Sequence, residues 1–397
     1  MSWVLIINRN VILTLNRGLV EVLMKENAII YPYDVEFSPV LRYADILEKY
    51  NITGVVSPSG WGLGGKDAGS IDSNRTTDIY VSENYDEELD KCDTVIFTQP
   101  NYYIDFSRSV YPKIIKAIEA GKNIVCLIKL DETIKLEIEK KCAENKVNID
   151  YYSNDNQCIH IERISVENEC IYDLYTPVVF VASNAERACK FEIQLSLREQ
   201  LLKMGYRVSQ IGTREYCEMF GFHSFPKFMY DCSIPESNKV VLFNHLIKQI
   251  EKIEKPDIFI IGIPGGVMPY NKVFTNRFGI LAYEVSQAVN PDVAILSTLY
   301  EDYKPEYFEK LSLSMKYKLG FEVDCFNLAN IQFDWAKAKE ERKLNYTSLS
   351  VEHINKKKKE FSELTTPVYN VLEKDDSSAM AKFIVDKLEG YGQMKCV

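Results

Sequence analysis

Residues 176–226 read TPVVFVASNAERACKFEIQLSLREQLLKMGYRVSQIGTREYCEMFGFHSFP. The apolar run Val178–Val181 predicts a buried strand, and the leucines of Phe191–Met204 recur at the spacing of a helix with one buried face. A second apolar run, Arg207–Ile211, then leads into a loop at 212–226 that is dense in reactive side chains. The order strand, helix, strand, loop is typical of an α/β domain, in which ligands bind at the carboxyl ends of strands.

The composition limits the classes of protein to which the chain can belong. It has 397 residues, 46% of them hydrophobic, enough for about two or three domains with buried cores. A net charge of −10 disfavours an extended nucleic-acid interface, which requires a basic face. We find no signal-peptide or membrane-spanning pattern, so we expect a cytoplasmic protein. The ten cysteines form no CxxC pair, which indicates reduced thiols and argues against common zinc and iron–sulfur sites.

Strand and helix patterns alternate along most of the chain and predict an α/β fold with two doubly wound parallel sheets. We expect a Rossmann-like domain over 1–152, a connecting segment over 153–172, a P-loop-like domain over 173–330 and a mostly helical C-terminal segment over 331–397. The first predicted strand, Val4–Ile7, is followed by Asn-Arg-Asn and not by GxGxxG, which argues against tight dinucleotide binding there.

A glycine-rich stretch in the first domain, GWGLGGK at 60–66, fits the GxxxxGK pattern of phosphate-binding loops. Its context differs, because Asp67 follows Lys66 and the next residues predict a loop instead of a helix. Two interpretations remain open. Either the exposed N–H groups and Lys66 bind an anion or a peptide carboxylate, or the segment is a tight turn that buries Trp61.

The stretch SNAERACK at 183–190 occupies the place of a phosphate-binding loop in the second domain, between a strand and a helix. Its glycines are missing, and residues with a Cβ atom are expected to keep the backbone from closing around a phosphate. This predicts a degenerate P-loop-like turn. Lys190, near the start of the helix, either faces an anionic ligand or is a surface lysine.

The loop at 212–226 contains Arg214, Cys217, His223 and Ser224 within eleven residues. Three interpretations remain open. In the first, Cys217 and His223 form a thiolate–imidazolium nucleophile pair. In the second, they bind zinc or iron together with Cys232, with or without Cys189, at spacings that match no common site. In the third, aromatic neighbours hold the loop and His223 is hydrogen-bonded within it. We predict no metal site from these spacings.

A third loop, IPGGVMPYN at 263–271, also follows a predicted strand. Gly265 and Gly266 permit positive φ and a close approach of ligand or backbone, and Asn271 is a polar contact candidate. We expect the three loops of the second domain to line one rim of its sheet.

Four stretches, SPSGWGLGGKDAG at 57–69, residues 190–226, KPDIFIIGIPGGVMPYN at 255–271 and FGILAYEVSQAVNPDVAILS at 278–297, resemble the peptide maturation system proteins of clostridia. Those proteins accompany radical SAM maturases and short Cys-rich precursor peptides, so the resemblance implies a role in a ribosomal-peptide pathway. The layout is distantly similar to that of DgcN-type proteins, which pair a Rossmann-like with a P-loop-like domain and are linked to N-acetylation of D-amino acids.

The first hypothesis is therefore a peptide maturation protein that binds and modifies a precursor peptide or a small anionic ligand at the second-domain rim. His223, whose ordinary pKa lies near neutrality, would act as acid or base. The second is a non-catalytic precursor-binding partner of a radical SAM maturase, and the third is an ATP- or acetyl-CoA-dependent transferase acting on an amino acid or peptide. The cofactor stays unknown and homo-oligomerisation open, and neither a nucleic-acid nor a membrane partner is expected. The catalytic candidates are His223 and Cys217, and the ligand-binding candidates are Lys190, Arg214, Ser224, Gly265, Gly266, Asn271, Lys66 and Asp67.

Overall fold

The computed structural model describes residues 4–8, 11–16, 19–73, 75–152, 170–341 and 343–394, with side chains between 25 and 390. The chain packs into two units. The first comprises Met1–Asn156 and Glu215–Gly221, and the second comprises Gln157–Arg214 and Phe222–Val397. Most of the predicted connecting segment, 153–169, lies outside the described residues.

The strands follow one another along the chain as β1 (Val4–Asn8), β2 (Val11–Asn16), β3 (Leu19–Met24), β4 (Glu26–Tyr31), β5 (Tyr50–Val56), β6 (Val81–Ser82), β7 (Thr94–Phe97), β8 (Asn123–Cys126), β9 (Ile149–Tyr151), β10 (Val178–Ser183), β11 (Val208–Gly212), β12 (His223–Ser224), β13 (Ile258–Gly262), β14 (Val293–Tyr300), β15 (Cys325–Phe333), β16 (Tyr346–Ser348) and β17 (Val368–Tyr369). The α-helices are α1 (Ser38–Arg42), α2 (Tyr85–Leu89), α3 (Tyr111–Glu119), α4 (Glu132–Asn145), α5 (Lys190–Lys203), α6 (Glu236–Glu254), α7 (Ile280–Ala288), α8 (Pro305–Leu319), α9 (Trp335–Glu341), α10 (Val351–Lys358) and α11 (Lys374–Met394).

The main sheet of the first unit is parallel throughout, with the strand order β6-β5-β4-β7-β8-β9. Counted along the chain from β4, this is the order 3-2-1-4-5-6 of dinucleotide-binding folds. Ile29 and Val95, on neighbouring strands, pack with Ile114 and Ile118 of α3 in a buried core. The strand order therefore confirms a doubly wound first sheet.

The chain begins with an antiparallel sheet that the sequence patterns did not predict. Strands β1, β2 and β3 pair consecutively as a meander, so Val4–Ile7 is not the first strand of the parallel sheet. That position belongs to β4, and the turn relevant to dinucleotide binding is Pro32-Tyr33-Asp34. The Asn-Arg-Asn stretch was therefore the wrong place to look for the fingerprint, although the true turn lacks it as well.

The sheet of the second unit has eight strands in the order β12-β11-β13-β10-β14-β15-β16, with β17 paired to β15. Its ladders are parallel except for that between β15 and β16. Alternate residues of β10 point to opposite faces: Phe180 packs with Phe243 of α6, whereas Val179 packs with Leu197 of α5 and Ile384 of α11. Both faces of the sheet are therefore covered, as a parallel sheet requires.

The segment predicted as mostly helical, 331–397, also contributes strands. Helices α9, α10 and α11 lie in it, but β16 and β17 join the edge of the second sheet. The run Thr366–Leu372 yields the two-residue strand β17. No helix among those the structure describes is long and apolar enough to cross a bilayer.

Candidate functional site

The loops after three adjacent strands of the second sheet meet at one place. Strand β10 lies between β13 and β14, so their carboxyl ends are neighbours. We call the region formed by 183–190, 263–276 and 301–307 the strand-end site. Open α/β sheets bind ligands at such crossover points. Two of the three loops predicted for the second-domain rim, 183–190 and 263–271, lie in this site, whereas the third, 212–226, follows β11 and the segment 301–307 was not predicted.

Lys190, the first residue of α5, is buried at the centre of the strand-end site. Its Nζ donates hydrogen bonds to Ser183 Oγ and to the carbonyl oxygen of Gly265, each at 2.5 Å. Burial lowers the pKa of the ammonium group to about 7, Glu186 opposes this shift and Arg214 adds to it. Lys190 is therefore not a surface lysine, and it loses its proton near neutral pH.

The turn between β10 and α5 adopts conformations that glycine would normally supply. Arg187 has φ 61° and Cys189 has φ 55°, both in the left-handed region, which costs an ordinary residue about 1–2 kcal/mol. The sequence analysis expected side chains to keep this backbone from closing, but the left-handed residues alternate as they do in anion-binding nests. Within the described chain, the N–H groups of Ala185, Glu186 and Lys190 donate to no acceptor.

The predicted residues of the loop after β13 have mainly architectural roles. The carbonyl of Gly265, at φ +72°, accepts the Lys190 bond. A Cβ atom on Gly266 would lie 2.5 Å from Asn276 Nδ2, so the loop can approach its neighbour only with glycine there. Asn271 Oδ1 accepts the N–H groups of the residues two and three positions later at 2.7 and 2.8 Å, which commits this oxygen to a turn.

Arg214 also lies near Lys190. Its guanidinium carbon is 5.9 Å from the ring centre of Phe191, and its charge lowers the pKa of Lys190. Two basic side chains are therefore close together at the start of α5, with Glu186 as the neighbouring acid. The structure thus brings together Lys190, Arg214, Gly265 and Gly266 of the predicted ligand-binding set.

Sequence reasoning missed several residues of the strand-end site. Asn184 is buried, and its side-chain amide lies 3.4 Å from the hydroxyl groups of both Tyr303 and Tyr307, whose rings stack at 4.0 Å. Asn276 Nδ2 donates to the backbone oxygen of Asn184 at 3.2 Å. Their positions in the sequence could have indicated these residues. Asn184 occupies the position of the first glycine of a P-loop, and the two tyrosines follow the end of β14.

His223 lies elsewhere, on the short edge strand β12. Its Nε2 is 2.6 Å from Glu254 Oε1, and Ser209 Oγ donates to the other carboxylate oxygen. Burial opposes ionisation of Glu254, but the hydrogen bonds from His223 and Ser209 lower the pKa of its carboxyl group. Ser224, next to His223, pairs with Gly212 in the ladder between β11 and β12. Glu254, the hydrogen-bonding partner of His223, was not among the predicted site residues.

Cys217 groups with the first unit, in the segment Glu215–Gly221. It is fully buried at the start of a 3₁₀ turn, Cys217–Phe220. His223 belongs to the second unit and has Glu254 as its side-chain partner. This placement gives no support to a Cys217–His223 nucleophile pair. Across the described residues, histidine, cysteine and carboxylate side chains form no group of three that could hold a metal ion.

The glycine-rich stretch at 60–66 forms a turn in the first unit, and no described residue between 67 and 84 is helical. A phosphate-binding P-loop is therefore excluded here. Lys66 is exposed, and Trp61 is half-buried with its ring 5.0 Å from that of Tyr102. The carboxylate of Asp67 accepts hydrogen bonds from four backbone N–H groups, those of Gly69, Ser70, Thr77 and Asp78. Asp67 thus organises the loop from within.

The carboxylate of Asp34 lies at the carboxyl end of β4, where the strand order of the first sheet reverses. Asp34 follows β4 and is fully buried; its oxygens accept the N–H groups of Glu36 at 3.0 Å and of Asn101 at 2.5 Å. In folds with this strand order, N–H groups at this turn hold the pyrophosphate of a dinucleotide. The position of Asp34 therefore argues against dinucleotide binding at this turn.

No protein-family model matches the chain, and no curated protein matches its sequence. Among solved structures, a DUF1611 family protein from Anabaena variabilis is similar over 91% of this chain and 100% of its own, with a TM-score of 0.57 and 12% identity. At that identity the similarity shows the α/β fold alone. A GTPase from Pyrococcus abyssi covers 52% of this chain and 96% of its own, with a TM-score of 0.28 and 16% identity. A homoserine dehydrogenase from S. aureus covers 32% of this chain and 33% of its own, with a TM-score of 0.25 and 13% identity.

Proposed function

We propose that this chain is a cytoplasmic peptide maturation protein that binds an anionic group, on a precursor peptide or a small ligand, at the strand-end site. The observation that carries the proposal is the burial of Lys190 at the end of a turn in which the N–H groups of Ala185, Glu186 and Lys190 donate to no acceptor among the described residues. A buried lysine is costly to keep charged unless an anion compensates the charge. An anion bound in the turn would supply that compensation.

The turn supports anion binding in a second way. Residues other than glycine rarely adopt left-handed conformations, and such strain concentrates at functional sites. Arg187 and Cys189 adopt it at alternate positions, a pattern found in anion-binding nests. The N-terminus of α5 adds the positive end of a helix dipole. Peptide carboxylates and phosphates are both ligands of this chemistry.

The residue after Lys190 decides between classes of anion. Phosphate-binding loops that hold a magnesium nucleotide have serine or threonine there, because the hydroxyl binds the metal. This chain has Phe191, which is buried. The arrangement therefore favours binding of an anion without a metal ion over nucleotide hydrolysis. Among the proposed functions, this arrangement favours a protein that binds the precursor peptide. The peptide would then be presented to a radical SAM maturase.

Titration calorimetry with a Cys-rich precursor peptide of the resembling pathway tests the proposal. The wild-type chain should bind the peptide, and Lys190→Met should weaken binding by about tenfold or more, as loss of a charge-assisted hydrogen bond does. Lys272→Met is a matched control, since Lys272 is an exposed lysine on the loop after β13. Equal affinities for the wild type and both variants would refute a role of the strand-end site in peptide binding.

The nest also favours a second candidate, a transferase that uses acetyl-CoA or ATP, because phosphate groups fit the same N–H donors. Thermal shift separates the two candidates. A ligand at about 100 times its dissociation constant adds about 2.7 kcal/mol to the unfolding free energy, which raises the melting temperature measurably. A shift with acetyl-CoA that Lys190→Met abolishes would support the transferase. No shift with acetyl-CoA or with ATP and magnesium would remove it.

A further inference from the structure

A cavity of about 250 Å³ lies in the first unit, at the carboxyl ends of β7 and β8. Seven of its eleven lining residues are apolar, among them Ile104, Phe106 and Ile128, and the other four are polar. For comparison, an apolar cavity of about 150 Å³ in another protein binds benzene. The cavity therefore has room for an apolar group the size of an aromatic ring together with a small polar head.

The wall of the cavity contains an uncommon backbone element. Phe106–Val110 forms a π-helical turn in which the N–H group of Tyr111 bonds to the carbonyl oxygen of Phe106, five residues earlier. Such turns cost helix stability and are frequent at functional sites. Phe106 and Val110, at the two ends of this turn, both line the cavity.

Two polar residues of the wall can receive a ligand. The Gln99 side chain is exposed and makes no hydrogen bond with any residue that the structure describes. Lys129 Nζ lies 2.7 Å from a carboxylate oxygen of Glu215, and the two side chains are 67% and 49% exposed. An ion pair this exposed contributes little to stability, so a ligand carboxylate can replace Glu215 as the partner of Lys129.

The other two polar residues of the wall are already engaged. Thr98 Oγ1 donates to the carbonyl oxygen of Pro32 at 2.5 Å. Asp131 caps α4 by accepting the N–H group of Ile134 at 2.9 Å. Two polar side chains of the wall can therefore bind a ligand: Lys129, which can exchange its partner, and the amide of Gln99. Both can donate hydrogen bonds to a carboxylate.

We propose that this cavity binds a carboxylate attached to an apolar group about as large as a benzene ring. A free aromatic or branched carboxylic acid has these two groups, and so does the C-terminal residue of a peptide when its side chain is apolar. This proposal is independent of the strand-end site in the second unit. The cavity is formed by other residues, and its ligand carries an apolar group that an anion at the strand-end site does not require. Lys190→Met should leave binding in this cavity unchanged.

Isothermal titration of the full chain with phenylacetate and with phenylacetamide tests the proposal. The acid should bind at least about tenfold more tightly than the neutral amide, because Lys129 supplies a charge-assisted contact. Lys129→Met should abolish that difference. Lys140→Met, which removes another exposed and ion-paired lysine of the first unit, should keep it. Equal binding of acid and amide to the wild type, or no binding of either, would overturn the proposal.

A second variant and a peptide pair complete the test. Ile104→Trp places a large side chain on a half-buried position of the wall and should abolish phenylacetate binding while the chain still melts cooperatively. Unchanged phenylacetate affinity in that variant would overturn the proposal.

A tetrapeptide ending in Phe, tested as free acid and as amide, distinguishes a peptide carboxyl terminus from a free acid as the natural ligand. Tighter binding of the peptide acid than of phenylacetate assigns the cavity to peptide carboxyl termini, and the reverse assigns it to free acids.

Discussion

The ammonium group of Lys190 lies 2.5 Å from the carbonyl oxygen of Gly265, so a partly buried hydrogen bond joins the helix after β10 to the loop after β13. The same Nζ reaches Ser183, the last residue of β10. A flexible surface loop would not keep a lysine in such a position. Lys190 therefore links three segments of the second unit and is a buried basic side chain directly after the turn at 183–189.

Anion affinity should fall as pH rises through neutrality. Sulfate is a suitable probe because its charge is constant over this range. Since Lys190 has a pKa of about 7, the charged form that attracts sulfate disappears above that pH, and the affinity should fall by up to about tenfold per pH unit. Lys190→Met should bind sulfate weakly with no such pH dependence. A flat profile in the wild type would exclude Lys190 as the titrating group.

The Lys190 contribution to the free energy of unfolding should rise with pH, whereas the anion affinity should fall. The unfolded chain holds the Lys190 proton up to pH about 10.5, whereas the folded chain releases it above about 7. Between these values the unfolded state binds more protons, so the free energy of unfolding gains a contribution that increases with pH. Urea unfolding of the wild type and Lys190→Met across pH 6–9 measures this. The difference between the two chains should change steadily in favour of the wild type, and a constant difference would contradict the assignment.

Gly266→Ala should destabilise the second unit. The added methyl group would lie 2.5 Å from Asn276 Nδ2 and 2.9 Å from the backbone oxygen of Asn184, and overpacking of this kind costs about 1–3 kcal/mol. Gly390→Ala is the control, because a Cβ atom there meets no atom within 4 Å and alanine suits a helix better than glycine. Denaturant melts of both variants provide the comparison. Equal stabilities would show that the loops can separate.

Asp67→Ala should destabilise the first unit by about 2–3 kcal/mol, since a carboxylate that accepts four backbone N–H groups is removed. Lys66→Ala should change stability little, because Lys66 is exposed. Neither variant should alter sulfate affinity if the strand-end site is the anion site. Loss of sulfate binding in Lys66→Ala would instead favour the glycine-rich turn as the binding loop.

His223 can be tested as acid or base separately from its ion pair. Glu254→Gln should lower the unfolding free energy at pH 7 by less than about 1 kcal/mol, because the pair is partly exposed. Since the folded state lowers the pKa of Glu254, this difference should vanish as pH falls below the ordinary carboxyl range. In a reconstituted maturation reaction, His223→Ala should lose activity if His223 moves a proton. Full activity would leave His223 with a structural role only.

The sequence patterns predicted the main strands of both sheets because these are buried, apolar and short. The helix predicted from the apolar spacing of Phe191–Met204 is α5, which begins one residue earlier, at Lys190. The first turn of a helix carries no periodic apolar signal, so its start is poorly marked. The meander β1–β3 was missed because the alternating α/β pattern was extended back to the first apolar run.

The strand-end site was only partly predictable. Lys190 could be found from its place after a strand, but not its burial, which depends on contacts with Ser183 and Gly265 from distant parts of the chain. The left-handed conformations of Arg187 and Cys189 could not be predicted, because residue type argues against them. Glu254, the partner of His223, is thirty-one positions away in the sequence. Such pairings are fixed by strand order and not by local pattern.

An NMR titration of the backbone amides of the full chain with the precursor peptide shows directly whether the turn at 183–190 holds the anionic group. We expect the amide signals of Ala185, Glu186 and Lys190 to move on binding, and those of residues 60–66 to stay in place. Lys190→Met should show smaller changes at the same amides. Peptide binding that leaves Ala185, Glu186 and Lys190 unmoved would contradict the account, because the anionic group would then be held elsewhere.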